Sequence, residues 1–194
     1  MRDSYLLLTP ILVLGVLSIV RFVGCATVLG FERVPDPPLD FVTDEALGRI
    51  RNDYSGYVGM AVDVGAKSLK VQNVQRYCVA GSTGGHRVQI IDPTTGTPVP
   101  NADVVVSLMG RPEGFVAVDL GSVVTLTAGQ RYYVVSEEVT GGDQFFDNDT
   151  VLTTRPDATV VSPVYYDSTG MQWVMLGNAG NSYGPVNFAY VAPK

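Results

Sequence analysis

Gly, Pro, Asn and Asp interrupt the chain between Arg51 and Val191 about every 8–12 residues, and the intervals between them are β-prone. That punctuation leaves no room for the ten- to fifteen-residue helical patterns of a βαβ fold. It fits short antiparallel strands joined by turns. Strands are expected at Tyr57–Val64, Leu69–Val79 with a bulge near Asn73 and Val74, His86–Ile91, Asp103–Met109, Phe115–Leu120, Val123–Leu126, Arg131–Ser136, Val151–Thr154, Thr159–Tyr166, Gln172–Leu176 and Val186–Val191. Arg131–Ser136 has Tyr133, Val134 and Val135 in succession, so it is expected at the centre of a sheet. Pro163 cannot donate to a ladder and marks an edge strand or a bulge. Thr43–Arg51 reads as one short helix, with Thr43 as N-cap, acids in the first turn and arginine in the last. The fold class is all-β: a two-sheet antiparallel sandwich, jelly-roll-like or immunoglobulin-like, behind an N-terminal apolar helix.

That helix is the second constraint. Residues 5–20 carry no charge, and apolarity resumes from Phe22 to Phe31 after Arg21. Sixteen residues fall short of the ~20 that a bilayer crossing needs, but Tyr5 to Phe31 suffices if Arg21 snorkels to an interface. The segment is apolar on every face and is followed by Val34-Pro35-Asp36-Pro37-Pro38, which argues against a core helix. Three membrane readings stand: a cleaved signal peptide, a single-pass anchor, and a lipoprotein signal with Cys25 as the lipidated residue. The spanning anchor is preferred, with the β domain facing the periplasm or cell exterior. Residues 1–31 are thus the anchor, 32–50 a Pro- and Asp-containing linker, and 51–194 the sandwich.

Charge and residue inventory narrow the function. With 19 acids against 13 bases the net charge is −6, which opposes the phosphate neutralisation that nucleic-acid binding needs. Only two cysteines and one histidine occur, so a zinc site is not expected. Cys78 falls in a strand and is expected as a small core hydrophobe. A triad would have only His86 to use, and no nucleophile elbow, phosphate loop or dinucleotide fingerprint is present. Glu137 and Glu138 are neighbours on a strand and point to opposite faces, so they cannot form a glycosidase pair. A hydrolase ranks last.

Two site readings remain. Asp143, Asp147, Asn148 and Asp149 offer closely spaced oxygen donors after Gly141 and Gly142, a set that suits Ca²⁺, against an ordinary solvated acidic turn. No cofactor is required. The second reading is aromatic: Tyr54, Tyr57, Phe145, Phe146, Tyr165, Tyr166, Trp173 and Tyr183 fall near strand ends and turns. Sugar rings present apolar faces that stack on flat aromatics while Asp and Asn take the hydroxyls. Phe145, Phe146, Tyr166, Tyr183 and Asn181 are the expected ligand residues, with Tyr183 exposed and Trp173 packed between sheets.

The stretches YSGYVGMAVDVG, VQRYCVAGSTGGHRVQIID, VTLTAGQRYYVVSEEVTGGDQ and NSYGPVNFAYV resemble a β-sandwich module of unknown function found in secreted and surface proteins of bacteria. The resemblance covers Arg51 to Val191 and implies fold and compartment, with a lectin-like or carbohydrate-binding role. It transfers no catalytic residue. The expected function is therefore a non-enzymatic, membrane-anchored binder of polysaccharide or another envelope component. The alternative is a structural or assembly subunit of a surface complex, with an envelope protein as partner.

Overall fold

Strands form where β-branched and aromatic residues alternate with polar ones, and in the described part of the chain they account for every regular element. The structure is a computed structural model that describes residues 36–192. The first strands are β1 (Leu39–Asp40), β2 (Val42–Ala46), β3 (Ile50–Arg51), β4 (Gly56–Val64), β5 (Leu69–Cys78) and β6 (Gly85–Asp92). Then come β7 (Thr97–Ser107), β8 (Gly114–Leu126), β9 (Arg131–Glu138) and β10 (Phe145–Thr154). The chain closes with β11 (Ala158–Asp167), β12 (Gln172–Met175), β13 (Asn181–Gly184) and β14 (Val186–Val191). The anchor residues, Cys25 among them, lie outside the described residues. Among the described residues no helix is long and apolar enough to cross a membrane.

Antiparallel pairing arranges the strands in three sheets. One has six strands in the order β12-β11-β4-β9-β6-β7, and a second has four in the order β1-β14-β5-β8. The third runs β13-β10-β2, with β3 also on β10. β9 lies inside the six-stranded sheet, as its composition predicts. Its ladder with β4 is unbroken from Gly56↔Glu138 to Asp63↔Arg131.

Alternation along the ladders decides what each face buries. Met60, Val62, Val88, Ile90 and Val134 point inward from the six-stranded sheet. They pack with Val71, Val74, Val116, Val124 and Phe188 of the four-stranded sheet in one continuous core. Phe41 stacks on Phe188 at 4.7 Å between ring centroids and joins the N-terminal strands to that core. At about 25 cal/mol per Å² of apolar surface, fully burying each such side chain contributes ~1.5–3 kcal/mol before entropy is counted.

Four sequence expectations change. Thr43–Arg51 is not a helix: Val42–Ala46 and Ile50–Arg51 are strands paired with β10, so the sheets begin inside residues 32–50, which are expected as linker. The pairing partner lies about a hundred residues away, so local capping signals could not reveal it. Phe145–Asp149, expected as loop, begins β10, because β3 and β13 supply ladder bonds that override the low β-propensity of Asp and Asn. Asn181–Gly184, also expected as loop, is β13. The two short strands at 115–126 are one, β8. Pro163 lies next to a bulge between Val160 and Ser162, on a strand one removed from the edge. The β5 bulge falls between Val71 and Asn73, one residue from its expected place.

Candidate ligand-binding site

The strand beginning Phe145-Phe146 sends its two rings to opposite faces. Phe145, 1% exposed, packs with Val58 and Tyr183, flanked by Tyr54 and Tyr165. Phe146 turns the other way into Tyr77, Val79 and Phe115. The Tyr165↔Val58 and Phe145↔Arg51 registers pair β11 with β4 and β10 with β3 around these rings. There Tyr54, Val58, Phe145, Tyr165, Leu176 and Tyr183 enclose a pocket of about 160 Å³ with Arg51 in its wall.

The rings of this pocket hold one another edge to face. Tyr54 meets Tyr165 at 6.1 Å and 86°, and Tyr165 meets Tyr183 at 6.3 Å and 83°, the arrangement that aromatic quadrupoles favour. The Tyr54 hydroxyl donates to the Tyr166 carbonyl. The Arg51 guanidinium lies 5.8 Å from the Phe145 centroid, a cation–π contact. Arg51 is itself held by Asp53 (2.8 Å) and Asp147 (2.9 Å). Burial raises the pKa of Tyr54 and of Tyr183, with smaller contributions from neighbouring acids and tyrosines, so both phenols stay protonated at neutral pH. The pocket is smaller than the ~300–1,000 Å³ of drug-sized sites, and it suits a single ring or a chain end.

Of the expected ligand residues, Phe145 and Tyr183 meet in this pocket. Tyr183 is 6% exposed, which corrects the expectation that it stands in solvent. Asn181 is buried and donates from Nδ2 to the Asn148 carbonyl (2.9 Å), a structural bond beside the site. Phe146 and Tyr166 are not part of it. Trp173 is not between the sheets: it pairs across from Tyr166 and packs on the opposite face of the six-stranded sheet with Tyr133 and Tyr57.

The four calcium donors are engaged one by one. Asp147 is buried, with Oδ2 on Arg49 and Oδ1 on Arg51 and the Asn148 backbone. Asn148 donates from Nδ2 to the Leu176 carbonyl (3.2 Å), and Asp149 accepts from the Arg49 backbone (3.0 Å). Asp143 binds elsewhere, to Thr83, Gly84 and His86. Among the described residues no group of three or more His, Cys, Asp or Glu is placed to hold a metal ion.

A charged network that residue-by-residue reading missed occupies the region between β5, β6 and β9. Arg76 and Glu138, both with fully buried side chains, form a two-pronged pair at 3.0 and 2.8 Å. Ser136 donates to Glu138 at 2.7 Å. His86 Nδ1 lies 2.9 Å from the Glu137 carbonyl and 3.2 Å from Glu138 Oε2, and its Nε2 lies 3.0 Å from Asp143 Oδ2. Asp143 also accepts from the Thr83 and Gly84 backbone, tying the 80–84 turn to the 139–144 turn. Both imidazole nitrogens thus face oxygens that can only accept, a setting that calls for the doubly protonated ring. Burial works against that charge, but hydrogen bonds to Glu138 and Asp143 outweigh it and raise the His86 pKa above 6.5. Burial would likewise raise the two carboxylates, yet contacts with His86, and for Glu138 also Arg76, hold both below their ordinary range. The signal was register: Arg76 shares its face with Val74 and Cys78, His86 with Val88, and Glu138 with Val134.

Above this network Thr83–His86 and Gly141–Asp143 border a polar cleft of about 430 Å³. It is the larger space, but its floor is already bonded to itself. No buried side-chain nitrogen or oxygen among the described residues lacks a partner. Cys78 is free and fully buried, and burial raises its thiol pKa, the condition of an unreactive cysteine. No protein-family model matches this chain, and no curated protein matches it.

Proposed function

We propose that the protein is a non-enzymatic binding module, held at a membrane by its apolar N-terminal segment, that captures carbohydrate of the cell envelope. The aromatic pocket carries the proposal. Three tyrosines fixed edge to face, with Phe145 packed against them, surround about 160 Å³, with Leu176 at its rim and Arg51 in its wall. Such a site offers apolar walls to the C–H face of a sugar ring, and phenol and guanidinium groups to its hydroxyls. The rigid two-layer sandwich we infer, jelly-roll-like or immunoglobulin-like, suits presentation of a ready-made site. A binding role is also supported by the state of the histidine, whose two ring nitrogens are both committed to structural contacts. The outward-facing location follows from the anchor reading.

Leu176 is 53% exposed, so Leu176→Trp fills the pocket without disturbing the core. Glycan-array retention by the full chain and its loss in Leu176→Trp is the expected result. Retention unchanged by that substitution removes the pocket from the account. A second reading, assembly through a sheet edge, is favoured by exposed Met171, Met175 and Leu176 along and beside the short edge strand β12. Concentration-dependent oligomers without glycan retention select it.

A further inference from the structure

The side of the six-stranded sheet turned away from the core is apolar, where the exposed face of an antiparallel sheet is ordinarily polar. Alternation places Tyr57 and Ala61 of β4, Tyr133 and Val135 of β9, Ile91 of β6, Val164 and Tyr166 of β11 and Trp173 of β12 on that side. Small and aliphatic residues make its floor: Ala61, Val135 and Val164 are fully buried. Aromatic rings make its surface. Trp173 is half-buried at the centre, with ring centroids 5.1 Å from Tyr166, 5.4 Å from Tyr133 and 6.3 Å from Tyr57.

Two arginine–aspartate pairs flank the rings on the same face. Arg131 reaches Asp63 at 2.6 and 2.8 Å, and Arg131 Nη1 also lies 3.8 Å from the sulfur of Met175. Arg87 reaches Asp103 at 2.7 Å on the far side. Each guanidinium is paired with its own carboxylate, and exposed Glu137, across from Tyr57, adds a negative charge, so the face carries no surplus positive charge to draw a polyanion. Each pair instead presents a planar set of donors and acceptors beside a flat aromatic surface.

We propose that this face is a second binding surface, on which a neutral polysaccharide chain lies across Trp173, Tyr57 and Tyr166, with its hydroxyls meeting the two Arg–Asp pairs. It rests on the reading of the protein as a glycan binder and adds to it a chain-length ligand and a surface distinct from the pocket. The aromatic patch selects the apolar faces of successive sugars, and the compensated pairs select hydroxyls over phosphates or sulfates.

Trp173 is the only tryptophan of the chain, so selectively excited tryptophan fluorescence reports on this face alone. The experiment is native affinity electrophoresis of the full chain in gels containing hydroxyethylcellulose, mannan or dextran sulfate, with fluorescence titration by the same polymers. A neutral polymer is expected to retard the protein and shift its emission. Trp173→Ala is expected to weaken retardation about tenfold or more, and Tyr57→Ala to weaken it less. A circular-dichroism melt confirms that each variant folds. If Trp173→Ala does not fold, Tyr57→Ala together with the wild-type emission shift decides.

Retardation lost in Leu176→Trp but unchanged in Trp173→Ala and Tyr57→Ala overturns the second surface and leaves the pocket reading intact. Retardation by dextran sulfate alone overturns the neutral ligand. No retardation and no emission shift with any polymer overturns both readings. Sedimentation showing a dimer that Trp173→Ala dissociates assigns the face to a second copy of this chain instead.

Discussion

The Arg76–Glu138–His86–Asp143 network and the Tyr54–Phe145–Tyr165–Tyr183 pocket are both buried clusters outside the main aliphatic core, and they use burial in opposite ways. In the network, residues of the kinds that do chemistry are locked to one another. Arg76 gives its nitrogens to Glu138, Ser136 and two backbone carbonyls, and both sides of His86 are filled. In the pocket, aromatic rings are packed around open space. On the reading proposed above, charged residues hold the fold and aromatic residues meet the ligand. The larger cleft, beside His86, is for the same reason the weaker candidate.

The comparison breaks most readily at Glu138. Removing its carboxylate leaves Arg76 buried without compensation, so Glu138→Ala is expected to cost about 3–5 kcal/mol in chemical denaturation. A cost near zero would mean that the network holds nothing.

Next in size is binding: Leu176→Trp is expected to weaken glycan retention about tenfold or more. Stability should stay within about 0.5 kcal/mol, as for other surface substitutions.

The pH dependence sharpens the contrast. The His86 pKa is raised on folding, so its contribution is complete below about 6.5 and is lost as pH rises through the folded value. The Glu138 and Asp143 pKa values are lowered, so their contributions are present above about 4.5 and 3.8 and are lost as pH falls through the folded values. Denaturation midpoints should therefore peak between about pH 4.5 and 6.5 and decline above that window. The decline should be absent in His86→Gln. Because His86 is the only histidine, its imidazole resonances give the titration directly.

The smallest effect is expected at Arg49, whose side chain is 76% exposed. Asp147 keeps Arg51 and the Asn148 backbone, so Arg49→Ala should cost only about 0–1 kcal/mol in the same assay.

What the sequence made legible was local. The β-branched and aromatic runs of β4, β5, β6, β9 and β14 announce strands, and the opposed directions of Glu137 and Glu138 follow from a period of two: Glu137 is exposed and Glu138 buried. What it concealed depended on distant pairing. Phe145–Asp149 reads as loop until β3 and β13 flank it, and Thr43–Arg51 reads as a helix until β10 does. Phe145 and Tyr183 are expected as ligand residues from their own residue types, but the residues that complete their pocket come from β3 (Arg51), the β3–β4 connection (Tyr54) and β11 (Tyr165), which no local pattern joins. Trp173 is expected between the sheets. Its face follows only from the Tyr166↔Trp173 register.

The most direct test is backbone amide chemical-shift mapping with the oligosaccharide best retained on the array. The account predicts perturbations concentrated at Tyr54, Phe145, Leu176 and Tyr183, with Thr83–His86 and Gly141–Asp143 unmoved. Perturbations centred on the His86 cleft, with the aromatic residues silent, would contradict it.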